Sequence, residues 1–367
     1  MTKFCLVTGG LGFIGQHLVT LLLERGARVR ILDLAEPQTR IEGVEYVTGS
    51  ITDRPTVHSA MQGIDRVFHL AANAGLWSPR KQDFITINQT GTRTIMAEAM
   101  AANVEKVVHC STESILKSVR RNGEKNMRHS SSQSDHQSSY PPNHQSDSQF
   151  GQNSPPIPTD ESVHLTLEDM AGAYCRGKFV AEQEAFAAAK QGLPVVIVNP
   201  TVPIGPGDRR ITPPTRMMLG FLNGTYPAYL NSTLNLIDAR DVALGHLLAA
   251  DKGDVGTRYI LGHVNLQLGD LLQHLEAITG FPMPKRQVPY WLAYSVSFVQ
   301  EFLADYVTKQ APAAPLTGVK LARSPMVFDN TKAKVELGLT LRPLEQSLQD
   351  AVADYQNRGL LTRPLPV

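Results

Sequence analysis

Thr8-Gly9-Gly10-Leu11-Gly12-Phe13-Ile14-Gly15 is a glycine-rich stretch between two segments with different hydrophobic patterns. Before it, Lys3–Val7 is a short apolar run of the kind found in buried parallel strands. After it, residues 16–25 carry apolar side chains at helical spacing. A strand, a glycine turn and a helix in this order predict the first unit of a dinucleotide-binding fold.

Each glycine of this stretch has its own predicted role. Gly9 permits the tight turn, Gly12 lets the backbone approach a pyrophosphate, and Gly15 lets the helix pack closely on the strand. The free N–H groups at the start of the helix, those of Phe13 and Ile14, would then receive the phosphates. The alternative is a turn whose glycines occur by chance, but the flanking pattern favours the phosphate loop.

An acidic residue follows the next predicted strand. Residues 28–32 are predicted as that strand, and Asp33 ends it, 18 residues after Gly15 (33 − 15). A carboxylate here accepts hydrogen bonds from the adenosine ribose and repels a 2′-phosphate, so it favours NAD over NADP. A loop cap is the alternative role for Asp33. Three nearby arginines could soften the preference for NAD: Arg28, Arg30 and Arg40.

Composition and charge exclude several functional classes. The 367 residues are 42% hydrophobic and 19% charged, as in an ordinary globular protein, and they suffice for a large α/β domain or two lobes. The net charge of +1 gives no electrostatic case for nucleic acid or for an anionic membrane. The three cysteines are too few and too scattered for a disulfide framework or a zinc site. We therefore expect no metal and a reducing, cytoplasmic location.

Targeting and membrane-spanning segments are not expected. The N-terminal apolar run is too short for a signal peptide and continues directly into glycines. The longest uncharged apolar stretch, near Trp291–Val299, is about half the length that a membrane-spanning helix needs.

Strand and helix patterns alternate along much of the chain, which predicts an α/β fold. We expect a Rossmann doubly wound parallel sheet with a smaller, mainly helical C-terminal substrate lobe. Residues 199–207, rich in proline and glycine, are predicted as a loop at the carboxyl edge of the sheet, where ligands bind in such folds. The further strands and helices are predicted in this order: strand 44–48, helix 55–61, strand 66–70, helix 84–102, strand 106–110, helix 170–190 and strand 194–198.

The domain organisation is predicted from where this alternation weakens. Residues 1–210 are expected to form the NAD-binding domain, with 233–262 returning to it, and 211–232 and 263–367 to form the substrate-binding lobe. A low-complexity insertion at about 118–160 interrupts the first domain. Within it, His129–Ser154 has nine serines and five glutamines but no Leu, Ile, Val or Met. Such a segment buries too little apolar surface to offset its ordering entropy, so disorder is expected.

A tyrosine and a lysine stand four residues apart in one of the predicted helices. Tyr174 and Lys178 therefore lie on the same helix face. An ammonium beside a phenol stabilises the phenolate, which lowers the tyrosine pKa and gives a proton donor and acceptor usable near neutral pH. This spacing occurs by chance on many helices, so its significance depends on the phosphate loop and Asp33.

Together these features resemble the extended short-chain dehydrogenase/reductase superfamily, over nearly the whole chain. Its members share the Thr-Gly-x-x-Gly-x-x-Gly loop, Thr8–Gly15 here, and a Ser/Thr, Tyr and Lys catalytic set. A closer similarity is to the hopanoid-associated sugar epimerase family, and the dihydroflavonol-reductase-like group shares much of the pattern. The stretches that carry it are 167–178, 182–184, 192–200, 221–224, 245–248 and 259–262.

The resemblance implies a catalytic set of Thr112, Tyr174 and Lys178, with Ser111 as the alternative hydroxyl. Related nucleotide-sugar dehydratases carry Thr-Asp-Glu where this chain has Thr112-Glu113-Ser114. The second acid of those enzymes is therefore missing, which argues against dehydration. Besides the glycine loop and Asp33, the implied cofactor contacts are Ile51, Leu70, Ala71, Ala72, Lys178 and Pro200.

Three residues are candidate substrate contacts, each with a structural alternative. Trp77 would stack on substrate or be partly buried in its loop, and Asn199 would touch substrate or serve as a satisfied amide. Met217 would line the substrate cleft or pack inside the lobe.

The leading functional hypothesis is an NAD-dependent epimerase or oxidoreductase acting on a secondary alcohol or ketone of a sugar-like or polycyclic small molecule. Retained NAD would give epimerisation, and exchanged NAD a dehydrogenase or reductase. The alternatives are a dihydroflavonol-reductase-like NADPH ketone reductase and a non-catalytic NAD-binding regulator. The resemblance also implies a homodimer formed through the helices at 84–102 and 170–190.

Overall fold

The computed structural model describes residues 2–117 and 157–363, so nearly all of the predicted insertion at 118–160 lies outside the described residues. The strands are β1 (Phe4–Thr8), β2 (Arg28–Asp33), β3 (Val44–Thr48), β4 (Arg66–His69), β5 (Lys106–Cys110), β6 (Val195–Pro200), β7 (Val202–Ile204), β8 (Thr233–Asp238), β9 (Arg258–Leu261) and β10 (Val264–Gln267). The α-helices are α1 (Phe13–Glu24), α2 (Arg54–Met61), α3 (Gln82–Ile85), α4 (Gly91–Ala101), α5 (Ala173–Lys190), α6 (Pro213–Leu222), α7 (Ala239–Lys252), α8 (Leu268–Thr279), α9 (Tyr290–Leu303), α10 (Leu316–Leu321) and α11 (Leu344–Asn357). The other helical segments of the described residues are three π-helical segments, Thr86–Thr90, Ala304–Thr308 and Ala333–Leu337, and two 3₁₀-helices, Glu113–Ile115 and Leu167–Asp169.

A seven-stranded parallel sheet carries the strand order β3-β2-β1-β4-β5-β6-β9. The chain runs outward from β1 to β3 and then returns to place β4 on the other side of β1. The order therefore reverses at β1 and β4, and in such sheets ligands bind at the carboxyl ends of the strands at that point. The predicted Rossmann sheet is confirmed.

Both faces of this sheet are covered because consecutive strand residues point to opposite sides. Val7 belongs to the apolar cluster that includes Leu18 of α1 and Leu247 of α7. Leu6, its neighbour in β1, belongs instead to the cluster that includes Ile95 of α4 and Ala185 of α5. Burial of the strands on both sides is what the apolar runs of the sequence indicate.

The lobe contains a second, three-stranded sheet that the sequence did not predict. Its order is β10-β8-β7, with helices α6, α8 and α11 around it. The prediction of an irregular loop at 199–207 is therefore wrong for residues 199–200, which end β6, and for residues 202–204, which form β7. Pro203 is tolerated there because β7 is an edge strand and loses no ladder hydrogen bond on its free side.

The predicted domain division is consistent with this arrangement and stays a prediction. Helix α7 packs on α1, and β9 joins the large sheet, so most of the 233–262 segment lies with the first domain. Strand β8 of that segment lies in the small sheet instead. None of the helices in the described part of the chain is long and apolar enough to span a bilayer.

Candidate active site

The loop between β1 and α1 requires its glycines. Gly9 has a φ of +71°, and a Cβ there would lie 2.8 Å from the backbone nitrogen of Ala71. A Cβ on Gly15 would lie 2.3 Å from the carbonyl oxygen of Gly9, closer than any side chain can approach. The loop is therefore folded back on itself, with β4's carboxyl end directly beside it.

The start of α1 suits an anionic ligand. Gly12 is the N-cap residue, and no side chain accepts a hydrogen bond from the first turn. The N–H groups of Phe13 and Ile14 belong to that turn, where the helix dipole favours phosphate. These glycines and free amides fit the pyrophosphate of a dinucleotide.

Asp33 ends β2 and faces the same loop. Its carboxylate accepts hydrogen bonds from the backbone nitrogens of Leu11, at 3.2 Å, and Ala35, at 3.3 Å. The same carboxylate is paired with the guanidinium of Arg210, 3.0 Å away. Arg210 was not singled out from the sequence, because it stands 177 residues further along the chain.

The arginines that were singled out lie elsewhere. The guanidinium groups of Arg28 and Arg30 pair with Glu45 on the neighbouring strand, and Arg40 pairs with Glu36. The charge that acts on Asp33 therefore comes from the loop after β7.

The other implied cofactor contacts lie along the same edge of the sheet. Leu70–Ala72 follows β4, where the Ala71 N–H donates to the Thr8 hydroxyl at 3.1 Å. Pro200 ends β6. The Ile51 side chain is buried in the apolar cluster under α4, so only its backbone can reach a ligand.

Thr112 lies just beyond β5 and is bonded to a buried acid. Its hydroxyl donates to the Glu113 carboxylate at 2.7 Å, and the Ser114 N–H donates back to that hydroxyl at 3.3 Å. Burial raises the pKa of Glu113 from its ordinary value of 4.5 to about 7. In the sequence, Thr112-Glu113-Ser114 indicated only that the second acid of the related dehydratases is missing. The structure places the Glu113 carboxyl inside the candidate site.

Tyr174 lies in the first turn of α5, with its ring edge-on to Phe84 at a centroid distance of 6.2 Å. The pKa of Tyr174 is held above its ordinary value by burial of the phenol and then by the Glu113 charge, while the Thr112 hydroxyl acts in the opposite direction. The expected lowering of this pKa is therefore wrong for the described residues. Desolvation of the phenolate dominates, and the Lys178 charge on which the expectation rested is not among the main causes of the shift in this pKa.

Lys178 lies one turn after Tyr174 and points at the end of β5. Its ammonium donates to the carbonyl oxygen of Cys110 at 2.6 Å, two residues before Thr112. Burial lowers the pKa of Lys178. The structure thus brings Thr112, Tyr174 and Lys178 together where β5 ends. Ser111, the alternative hydroxyl, is buried without a hydrogen-bond partner among the described residues.

The expected contact between Asn199 and substrate disagrees with the structure. Asn199 is fully buried, and its amide donates to the Thr112 carbonyl at 3.0 Å and to the Glu182 carboxylate at 2.8 Å. It therefore fixes the backbone of Thr112 against α5 and does not face a ligand.

Two cavities lie beside the start of α5. An open one of about 950 Å³ is lined by Gly172, Ala173 and α9 residues including Trp291, and a smaller one of about 220 Å³ is lined by Trp77, Gly172 and Ala173. Trp77 is thus close to the Tyr174 turn, although its indole N–H donates to Asp305 at 2.8 Å. Met217 packs against the apolar core of the lobe.

No group of three or more potential metal ligands occurs in the described ranges 2–117 and 157–363. Cys5, Cys110 and Cys175 are buried free thiols.

Comparisons with known proteins agree with this class of site. Residues 5–262 match the model of the NAD dependent epimerase/dehydratase family. The chain is 39% identical to a Synechocystis protein named "Putative dihydroflavonol 4-reductase", over 96% of this chain and 94% of that one. It is 29% identical to "Sterol demethylase protein B" of Methylococcus capsulatus, over 97% and 99% of the two chains. Among solved structures, gox2253 superposes with a TM-score of 0.77 at 31% identity, covering 98% of this chain and 100% of that one.

The fold and the site define an NAD(P)-dependent oxidoreductase of the Rossmann type. The chain belongs to the NAD dependent epimerase/dehydratase family, within the extended short-chain dehydrogenase/reductase superfamily.

Proposed function

We propose that this enzyme reduces a ketone, or oxidises the corresponding secondary alcohol, on an apolar small molecule, with Tyr174 exchanging the proton. The observation that carries the proposal is the convergence of Tyr174, Thr112 and Lys178 where β5 ends, beside the open 950 Å³ cavity. When bound, the nicotinamide supplies or accepts the hydride.

The protonation of Tyr174 favours the direction of carbonyl reduction. Because burial and Glu113 raise the phenol pKa, Tyr174 stays protonated at neutral pH and can donate its proton to a developing alkoxide. In this proposal the Thr112 hydroxyl turns its proton from the Glu113 carboxylate to the same oxygen and becomes the second donor, which stabilises the developing charge. Lys178 holds the nicotinamide ribose, a role that comes from the superfamily resemblance.

We infer NAD as the preferred cofactor over NADP, because the Asp33 carboxylate repels a 2′-phosphate at the ribose. Arg210 weakens this repulsion because its guanidinium is paired with the same carboxylate. NADP use is therefore expected to be disfavoured and still measurable.

The apolar substrate class rests on the names of the relatives, one a reductase and one a sterol-processing protein.

Epimerisation on retained NAD is the second candidate, and the name of the matching family favours it. A catalytically inactive regulator is disfavoured, since a binding protein gains nothing from a Tyr174 phenol placed beside the Thr112 hydroxyl. We also propose a cytoplasmic location, supported by the three free thiols, and the homodimer implied by the superfamily, through α4 and α5.

Tyr174→Phe is the first test of this mechanism. We expect kcat for reduction of polycyclic ketones with NADH to fall by about 10²–10⁴-fold, because the ring stays and only the proton donor is removed. Cofactor affinity, followed by NADH fluorescence, should be nearly unchanged. The same assay with NADPH tests the role of Asp33.

Tyr306→Phe is the matched control, since Tyr306 is 71% exposed and lines neither of the two cavities. Its kcat should equal that of the parent enzyme. Full turnover by Tyr174→Phe would refute the catalytic assignment. NAD that co-purifies stoichiometrically, together with turnover of nucleotide sugars and none of ketones, would favour the epimerase instead.

A further inference from the structure

Helix α9 and the π-helical segment after it have an inverted polarity. Nine large apolar side chains between residues 291 and 307 are 39% to 71% exposed. Among them Trp291 is 67% exposed, Phe298 54%, Phe302 53% and Tyr306 71%. At the helical repeat of about 100° per residue, the nine side chains cover roughly half the circumference of the helix. We call this surface the α9 apolar face.

Three polar residues of the same helix and its π-helical extension, Ser297, Glu301 and Asp305, bond to neighbouring segments and hold the helix in place. The Ser297 hydroxyl donates to the Ala314 carbonyl at 2.6 Å. The ammonium of Lys81 donates to Glu301 at 2.9 Å and to Asp305 at 2.6 Å. Because these hydrogen bonds fix the orientation of the helix, the apolar side chains cannot turn inward unless the hydrogen bonds break.

Contiguous exposed apolar surfaces of this kind mark sites of interaction with an apolar partner. We propose that the α9 apolar face docks on the surface of a lipid bilayer containing anionic lipids. Helices that lie in the plane of a bilayer interface combine an apolar face with aromatic residues and nearby cations. Here Tyr290 and Trp291 begin the helix, and Tyr306 lies near its end.

The charges around the α9 apolar face fit anionic headgroups. Residues 281–326 contain five cations and only two acids, Glu301 and Asp305, both of which are bonded to Lys81. The five cations are Lys285, Arg286, Lys309, Lys320 and Arg323. Among residues 2–117 and 157–363, none of these five forms an ion pair with a carboxylate, because the two acids of the region pair with Lys81 instead. The local charge therefore attracts an anionic surface even though the net charge of the chain is only +1.

A second copy of the chain fits this surface less well. Lys285 and Arg286 precede α9, and Lys309 follows its π-helical extension. In either a parallel or an antiparallel pairing of two such helices, cations of one copy would lie opposite cations of the other. A bilayer with anionic lipids neutralises both ends.

The α9 apolar face also adjoins the candidate active site. Tyr290, Trp291 and Tyr294 line the open cavity together with Gly172 and Ala173, the two residues before Tyr174. Docking would open this cavity next to the bilayer, so an apolar ketone could pass from lipid to the catalytic tyrosine. This last step rests on the proposed function, whereas docking itself does not.

Vesicle sedimentation with the full chain tests the docking. We expect the wild type to bind vesicles of phosphatidylcholine with phosphatidylglycerol, to bind pure phosphatidylcholine more weakly, and to lose affinity as salt rises. The double variant Phe298→Glu/Phe302→Glu should bind at least about tenfold more weakly, because two apolar side chains no longer enter the interface.

Val255→Glu/Val335→Glu is the matched control, since these exposed valines lie outside α9 and are 50% and 75% exposed. It should bind vesicles like the wild type, and thermal unfolding should show both double variants folded. Failure of the wild type to bind, or undiminished binding by the α9 variant, would overturn the proposal. So would loss of a solution dimer in that variant without any vesicle binding by the wild type, which would assign the face to a second copy. Tyr174→Phe should bind vesicles normally, which separates docking from the proposed reaction.

Discussion

Glu113 is the residue whose role differs most from its sequence pattern. It is 9% exposed, its carboxylate accepts a hydrogen bond from the Thr112 hydroxyl, and its charge raises the pKa of Tyr174. A carboxyl with a pKa of about 7 changes its ionisation within the pH range in which the enzyme is expected to work. Its protonation therefore alters both groups that would contact the substrate oxygen.

Glu113→Gln should change the pH dependence of stability. The folded chain holds this proton more tightly than the unfolded chain, because the pKa rises from 4.5 to about 7 on folding. This contribution to stability is complete below about pH 4.5 and is lost as the pH rises through about 7. We expect the variant to match the parent near pH 4.5 and to be more stable, by up to about 3 kcal/mol, above pH 7.

Urea unfolding at pH 5 and pH 8 measures this difference. The exposed Glu42→Gln serves as the control and should follow the parent at both pH values. Parallel pH profiles for Glu113→Gln and the parent would mean that Glu113 titrates normally in the folded protein.

At the scale of the element, the β1–α1 turn requires glycine because there is no room for a side chain, even where helix propensity would favour alanine. Gly15 lies inside α1, where alanine is normally the better helix former by about 1 kcal/mol. However, the added Cβ would lie 2.3 Å from the Gly9 oxygen and 2.8 Å from the Gly10 Cα atom. Both contacts are with backbone, which cannot rotate away.

Gly15→Ala should therefore destabilise the fold by about 1–3 kcal/mol and weaken cofactor binding, because the phosphate loop must open to admit the methyl group. Gly318→Ala in α10 is the control, since its new Cβ would have only an ordinary contact, 3.4 Å from Leu76. That variant should be neutral or up to about 1 kcal/mol more stable. Denaturant unfolding and NADH titration of both variants provide the measurement. Equal behaviour of the two would show that the loop is not tightly closed.

At the scale of the whole molecule, a buried ion pair connects distant parts of the chain to the site. The Glu182 carboxylate in α5 accepts from Asn199 of β6 and pairs with Arg258 of β9 at 3.1 Å. Arg258 also donates to the carbonyl oxygens of Glu161 and Val163, where the chain re-enters the described structure. This network fixes the backbone of Thr112 through Asn199.

Arg258→Met should destabilise the protein by about 3–5 kcal/mol, because Glu182, 1% exposed, would keep a buried charge without its partner. Arg93→Met removes the comparable pair with Glu184, in which the Arg93 side chain is 60% exposed, and should cost no more than about 1 kcal/mol. Thermal and urea unfolding distinguish the two. Similar losses in both variants would contradict a special role for the buried pair.

The parts of this protein that the sequence predicts depend on neighbours along the chain. The glycine spacing of residues 8–15, the apolar runs of the sheet strands and the i, i+4 spacing of Tyr174 and Lys178 are local patterns with one good structural solution. The family resemblance and the parallel sheet followed from these patterns. Asp33 was also placed correctly at the end of β2, because the strand before it could be recognised.

Contacts between distant segments were decided by the tertiary structure alone. Burial beside Glu113 reversed the expected direction of the Tyr174 pKa, and folding brought Arg210 to Asp33 across 177 residues. The apolar stretch near 291–299 was visible in the sequence, but the sequence did not show which face of helix α9 meets water. That orientation follows from hydrogen bonds to Lys81 and Trp77, more than two hundred residues earlier. The apolar periodicity of a helix shows which of its side chains share a face. Which neighbouring segment packs against that face depends on long-range contacts, and no local pattern contains them.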